Sequence, residues 1–487
     1  MFGINLKQYN QFLTINERNK IFLRKNSSEG RAIADSKYRT KKILTEAEVG
    51  VPKLIKRFRS WAEVEKFNWE ELDGNFVIKP VAGYGGDGII IIRKSLKSKS
   101  LKVESGEIKF QLMNGEKMTV EDLKGHCREI LSGKYSLHGI QDGVIVEERI
   151  KIHPMFLSLT KSGTPDIRVI VYNKVPVMAM FRIPTAKSGG KANLQQGAMG
   201  LGIDLATGIT TFGVEGKGDL ISKIYDIGKK KLIKVNGIKI PMWKEILETA
   251  VKCQKAIPGL GFLGVDVVLD KDKGPVVLEV NARPGLSIQI CNKAGLKYRM
   301  EKVGDIEVRS IDHAVTLCKY LFGEGFFEKV EQKEKITTVE PIEIIKVKIP
   351  KGFKPEMQKS PVLKKGKHRV VEVRAKIDTG AFRSSIDRTL ANKLGLLSDG
   401  KVLYYRNYRS SLGKHRDRPV VGVTFWLNGK KVMTAVNVAD RSKLRTKFLL
   451  GRKDLGGFLV SAKTLLPAGG GHLPLKKGEA PKLLKNK

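Results

Sequence analysis

The run GVDVVLDKDKGPVVLEVNARPG, Gly264–Gly285, holds two apolar stretches around the polar tetrad after Leu269. Branched aliphatic residues favour paired strands, and Asp270 to Gly274 has turn composition, so the expected element is a hairpin of Gly264 to Leu269 with Val276 to Val280. Asp266 then lies on one strand, while Glu279 and Asn281 lie two residues apart on the next and share a face. Two carboxylates and an amide oxygen converging between strands form a hard oxygen site suited to Mg²⁺, which also binds nucleotide phosphates. The competing reading is a solvent-facing acidic hairpin. Glu279, however, sits inside VVLEV without polar alternation, and a carboxylate in such a place needs a paired charge or a metal.

Upstream, a helix is expected from Ser36 as N-cap through Tyr38, Ile43, Leu44 and Ala47, until Gly50 and Pro52 stop it. FVIKP (Phe76 to Pro80), GIIIIR (Gly88 to Arg93), VIVEERI (Val144 to Ile150) and IRVIVY (Ile167 to Tyr172) read as strands. A hairpin around Glu104 to Ile108, a Thr119-capped helix to Leu131 and a helix from Met242 to Ala256 complete an α+β pattern. Lys79 ends one strand and GYGGDG (Gly83 to Gly88) follows it. Backbone N–H groups of Gly83, Gly85, Gly86 and Gly88 can approach phosphate oxygens with no Cβ in the way, beside a fixed lysine charge. A plain glycine-rich hairpin turn is the alternative. The loop is neither a Walker loop, since no GK[ST] follows, nor a Rossmann fingerprint, since it leads into a strand.

The whole chain has 487 residues, suggesting about three units at roughly 150 residues each. Its 90 Lys and Arg against 50 Asp and Glu give +40, with 41% hydrophobic residues. That is a folded, strongly basic protein attracted to anions, and the charge says nothing of fold. Cys127, Cys253, Cys291 and Cys318 are too far apart for a zinc knuckle or redox motif, and no apolar run is long enough to span a bilayer. A reduced, cytoplasmic setting is expected.

Residues 331–367 crowd charges among Pro341, Pro350, Pro355 and Pro361, which reads as a linker with one or two edge strands. VVEVRAKID, PVVGVTFWL and KVMTAVNV then suit a small all-β unit. AKIDTGAFRSSI (Ala375 to Ile386) ends a strand at Asp378, followed by Thr379 and Gly380, and FLLGRKDLGGFLV supplies a later aliphatic strand ending at Gly451. The tail 468–487, glycine-rich and then lysine-rich, is expected to be disordered.

DSKYRTKKIL, FVIKP, GYGGDG, VIVEERI, DIRVIVY, ANLQQGA, GVDVVL and LEVNARPG, in this order, resemble the RimK-like glutamate ligase branch of the ATP-grasp superfamily. The resemblance implies an ATP-grasp domain over 36–330, preceded by an N-terminal segment 1–35. It implies that Lys37 and Lys79 hold ATP phosphates under the glycine loop, that Glu147, Glu148, Arg149 and Ile150 meet the adenine, and that Asn193 lies near the phosphates. Asp266, Glu279 and Asn281 would hold two Mg²⁺ ions, with Mn²⁺ as an alternative; Arg182 and Arg283 would stabilise an acyl phosphate; Asp166 and Arg168, which flank the start of one strand, are candidates for substrate. A surface Asp–Arg pair is the competing reading of those two. The implied reaction is amide formation: a carboxylate attacks the γ-phosphate and an amine captures the acyl phosphate, through positioning and electrostatics. Ligases of this superfamily usually carry a whole α/β domain before the position of Lys37, which leaves the acceptor's identity open.

After the linker 331–340, residues 341–467 resemble the retropepsin-like family that includes RimB-like proteins, often labelled ATP-dependent zinc proteases. That implies an acid-protease-like barrel with Asp378, Thr379 and Gly380 in its catalytic loop, Thr379 bracing it. Such chemistry needs two aspartates sharing a proton, so a single Asp-Thr-Gly demands a homodimer. A β-rich binding module with Asp378 as a turn residue is the alternative. Zinc is disfavoured, because only His368, His415 and His472 follow the linker and no H-E-x-x-H occurs.

Together these resemblances imply a ligase that adds an amino acid, glutamate by resemblance, to a protein or peptide acceptor, fused to a peptidase that trims the product. Two other readings stand beside it. One is a basic RNA- or ribosome-associated protein with a non-catalytic nucleotide fold; the other is an ATP-grasp ligase of sugar-transfer or cell-envelope type that uses its β domain for docking.

Overall fold

A computed structural model describes residues 10–461 apart from 73–74, 84, 97–108, 114, 137–138, 162, 217, 324–333, 338–341, 356–360, 399, 411–412 and 457. The hairpin expected around Glu104 to Ile108, Tyr84 and the tail 468–487 lie outside the described residues. The chain divides into two compact units, Met1–Phe326 and Phe327–Lys487.

In the first unit, β1 (Leu54–Phe58), β2 (Phe76–Pro80), β3 (Ile90–Leu96), β4 (Lys109–Leu112), β5 (Lys117–Thr119) and β6 (Val144–Glu148) form one sheet in the order β1-β6-β2-β3-β4-β5. The helix Val120–Leu131 starts where Thr119 and Asp122 cap one another's backbone N–H groups, and its Leu123, Cys127 and Ile130 pack with Phe76, Ile78, Phe110 and Val146 of the sheet. The helix Lys37–Glu46 is capped by Ser36, whose hydroxyl accepts from the Arg39 N–H.

The second sheet holds β7 (Asp166–Tyr172), β8 (Val175–Ile183), β9 (Met199–Ile203), β10 (Thr210–Glu215) and β11 (Asp219–Ile221). A separate ribbon, β12 (Lys223–Asp226) with β13 (Lys231–Lys234), follows, and β14 (Phe262–Asp270) and β15 (Gly274–Asn281) return to give the order β11-β10-β9-β8-β7-β14-β15. β8 and β14 are buried along their whole length. The β14–β15 hairpin turns at Asp270, whose Oδ1 accepts from the N–H groups of Asp272 and Lys273, while Gly274 takes a left-handed φ of 76° that other residues reach only with strain. Asp266 stands directly opposite Glu279, and a bulge follows Asp266. The helix Trp243–Ala256 runs beside this hairpin.

Residues 10–35 are helical for much of their length and belong to this first unit. The buried Asn26 side chain donates to the carbonyls of Phe262 and Ala282 and accepts from the Phe262 N–H; Gln289 exchanges hydrogen bonds with the backbone of Leu13.

In the second unit, β16 (Glu334–Thr337) is followed by β17 (Ile342–Lys348), β18 (Leu363–Lys365), β19 (His368–Asp378), β20 (Ser385–Asp387), β21 (Val402–Ser410), β22 (Gly413–Leu427), β23 (Lys430–Ala439), β24 (Phe448–Gly451) and β25 (Phe458–Ser461). Neighbours pair in the order β17-β19-β24-β20-β23-β22, and β22 pairs back to β17, which closes a barrel. Its core includes Ile345, Val347, Val371, Ile377, Val423, Phe425 and Phe448. Of the one or two edge strands expected in 331–367, β18 pairs with β19 alone among the described residues, whereas β17 is paired on both sides, with β19 and with β22, and its Ile345 and Val347 point into the barrel.

Candidate active site

The β14–β15 hairpin brings Asp266, Glu279 and Asn281 together. The Asn281 carboxamide reaches Glu279 Oε1 at 3.1 Å and Asp266 Oδ2 at 3.3 Å. Two arginines, one from the adjacent β7 and one from β8 beyond it, complete the cluster. Arg168, opposite Asp266 in register, donates to both its oxygens at 2.7 and 2.6 Å and stands 3.9 Å from Glu279. Arg182 donates to both oxygens of Asp166 at 2.5 and 2.6 Å and ion-pairs with Asp266 Oδ2 at 2.8 Å. Asp166 and Arg168 therefore do not pair with each other. They exchange partners across β8, β7 and β14, so the buried Asp166 orients Arg182 through both of its oxygens.

These contacts set the charges. Burial opposes ionisation of Asp266, but the Arg168 and Arg182 guanidiniums outweigh it and hold its carboxyl below the usual range. Burial raises the Asp166 carboxyl to about 7, with Arg182 pulling it back and Asp266 adding to the rise. Arg182 itself is held charged, above its usual value: the two aspartates overcome its burial. Glu279 is the least enclosed acid of the three, its side chain 38% exposed.

The donor set fits a hard divalent cation. Glu279 is open to one, Asp266 is ionised, and a half-turn of the Asn281 carboxamide exchanges its nitrogen for its oxygen. Among the described residues no group of three or more His, Cys, Asp and Glu side chains has metal-site geometry.

A second cluster forms around the glycine loop. The Lys37 ammonium donates to the Gly83 carbonyl at 2.7 Å, and the loop's other side meets Lys191, which pairs with Asp87. A Cβ on Gly88 would come within 2.6 Å of the Tyr135 ring, and Gly85, Gly86 and Gly88 all have positive φ, so this conformation requires glycine. Burial lowers the pKa of Lys37, Glu279 opposes that, and Lys79 adds to it. The same lysine thus senses both the glycine-loop cluster and the hairpin acids.

Glu147 turns its side chain to Lys41 and Lys79 and ion-pairs with both in a buried triad. Glu148 accepts from the Lys53 N–H and from Lys273, and Arg149 donates to Asn75, while Ile150 follows them beyond the end of β6. Asn193 caps the short turn Leu194–Gln196, accepting from the Gln195 N–H. Arg283 is half-exposed and paired with Asp35 at 3.0 Å, so its described contact is outside the Asp266 cluster.

The profile of the sugar-transfer associated ATP-grasp family matches residues 17–305, more than half of the chain. This chain belongs to that ATP-grasp family. Among curated proteins none matches. Solved structures that resemble it include D-alanine–D-alanine ligase from Bacillus anthracis, at 15% identity over 57% of this chain and 69% of that one with a TM-score of 0.31. The ATP-grasp ligase PsnB, in a complex with a precursor variant, Mg and ADP, resembles it at 16% over 56% and 59% with 0.30. L-amino acid ligase from Bacillus licheniformis does so at 13% over 54% and 43% with 0.29. The activities in these descriptions are those proteins' own. The branch matched is the sugar-transfer associated one, and the RimK-like kinship expected from the motifs is not what the profile detects.

Within the ATP-grasp unit, Lys41 is the charged site residue that motif reading missed. Its signal was the spacing: it follows Lys37 by four residues on one helix and so shares its face. The second unit lies outside the family match. There Asp378 ends β19 beside Gly451 of β24, and its Oδ1 accepts from the N–H groups of Gly380 at 3.0 Å and Ala381 at 2.9 Å. Thr379 and Gly380 are exposed. Behind the loop Ser384 bonds Asp454 at 2.5 Å and accepts from the Gly451 N–H at 3.0 Å. All four cysteines are buried and unpaired. Among the described residues no helix is long and apolar enough to cross a membrane.

Proposed function

We propose that this ATP-grasp protein is an ATP-dependent ligase that joins a carboxylate to an amine through an acyl phosphate. The observation that carries the reading is the convergence of Asp266, Glu279 and Asn281 with Arg168 and Arg182, with Lys37 sensing both Glu279 and the Lys79 cluster. Lys37, Lys79 and the glycine loop bind the nucleotide's phosphates. Asp266, Glu279 and Asn281 hold Mg²⁺, which neutralises phosphate charge when bound. Arg168 and Arg182 hold Asp266 ionised and fixed, so the site is organised before the substrate carboxylate attacks and the amine displaces phosphate. No side-chain nucleophile is needed.

The amino acid we assign is glutamate and the acceptor a protein or peptide, on the strength of the motif order quoted above. The family match favours a second reading, amide formation on a sugar-associated or cell-envelope acceptor. The barrel we read as an aspartic peptidase half-site, completed by a second copy of the chain across Asp378. The excess of positive charge suits an anionic acceptor, including one bound to ribosomes. The experiment is incubation with ATP, Mg²⁺, an amino-acid pool and candidate acceptors, read by mass spectrometry. A glutamate mass increment on a peptide supports the first reading, one on a carbohydrate-bearing acceptor supports the second, and ATP binding with neither product rejects both.

A further inference from the structure

Glu147 reaches two ammonium groups at once. Lys41 Nζ contacts its Oε2 and Lys79 Nζ its Oε1, and the three side chains are 8, 3 and 7% exposed for Lys41, Glu147 and Lys79. The groups facing Lys41 are Glu147 from β6 and Lys79 from β2, with Lys37 one turn earlier on its own helix and itself drawn to Glu279 and Asp142. Two full ammonium charges on one carboxylate leave a buried excess charge. Such a charge is costly unless a proton leaves or an anion arrives. Burial and the charge of Lys79 hold the Lys41 ammonium well below the usual lysine range, although Glu147 pulls the other way.

We propose that Lys41, Glu147 and Lys79 form a proton-accepting socket beside the nucleotide, so that binding of the nucleotide's phosphates is coupled to uptake of a proton from solvent. Without nucleotide the two lysines share Glu147 one proton short. When phosphates arrive, Lys79 turns its charge to them and Lys41, newly protonated, keeps Glu147 paired. Lys41 is thus a positioning residue, holding the carboxylate that frees Lys79. The inference rests on the reading of Lys79 as a phosphate-side residue.

Calorimetry of Mg·ADP binding to the full chain at pH 8, in buffers of different ionisation enthalpy, tests it, because at that pH the nucleotide has no proton of its own left to exchange. The wild type takes up a substantial fraction of one proton per nucleotide, and affinity weakens as pH rises. Lys41→Met and Lys41→Gln, which leave one ammonium per carboxylate, bind Mg·ADP with that uptake lost and with a flatter pH dependence. Wild-type binding without net proton uptake overturns the proposal, as does undiminished uptake in a folded Lys41 variant. Absence of any binding heat in the wild type overturns the nucleotide reading itself and this proposal with it.

Discussion

Asp266 and Asp378 each stand on an apolar strand, yet their surroundings differ. Asp266 is buried, ion-paired with arginines from β7 and β8 and faced by a second carboxylate across the hairpin. Asp378 is half-buried at a strand end, and its described hydrogen bonds come from the backbone of its own loop. The first arrangement is supplied entirely by one chain and fixes its charges in advance. The second shapes a loop and holds one acid, while shared-proton chemistry requires a second acid that the loop does not contain.

The largest effect expected from attacking this contrast is Arg182→Met. Asp166 would lose its bidentate partner and Asp266 one of two, and breaking a buried pair typically costs about 3–5 kcal/mol. Chemical denaturation reads it; a loss below ~1 kcal/mol would mean the network does not hold the sheet. Next comes Glu279→Gln. Because Glu279 is part-exposed and its fold contacts are few, the chain should stay folded while Mn²⁺ affinity falls by at least ~10–100-fold, measured by metal titration. Unchanged affinity would remove Glu279 from the metal site.

Asp166 gives a pH signature. Its folded carboxyl is raised to about 7, so the protonated form is favoured by folding. The associated stability is full below the ordinary aspartate value near ~3.9 and is lost as pH rises through about 7. In Asp166→Asn that part of the pH–stability slope should vanish; an unaltered slope would contradict the burial argument. The smallest effect is Asp378→Asn, since an amide oxygen still accepts from Gly380 and Ala381. Stability should change by no more than ~0.5 kcal/mol and ADP formation not at all. Any peptidase activity should disappear, and survival of that activity would disqualify Asp378.

Local chemistry was what the sequence displayed best. Ser36 and Thr119 cap the helices expected of them, and the 264–281 hairpin forms around Asp270 because side chain and turn are neighbours in the chain. The convergence of Asp266, Glu279 and Asn281 followed from strand alternation alone. The partner exchange between Asp166–Arg182 and Arg168–Asp266 did not, because it depends on the registers of β7 against both β8 and β14, set by contacts far apart in sequence. The Lys41 pair with Glu147 spans 106 residues and was invisible for the same reason. β17 was obscured by its setting: charged residues alternate with Ile345 and Val347 between two prolines, and only barrel closure shows which face is inside.

The most direct test of the account is ADP formation by the purified full chain with ATP and Mg²⁺, measured with carboxylate and amine pools supplied together and singly, and with hydroxylamine in place of the amine. A ligase of the kind argued here releases ADP when both substrates are present and yields a hydroxamate when hydroxylamine replaces the amine. ADP release that is indifferent to the carboxylate, with no hydroxamate formed, would contradict it.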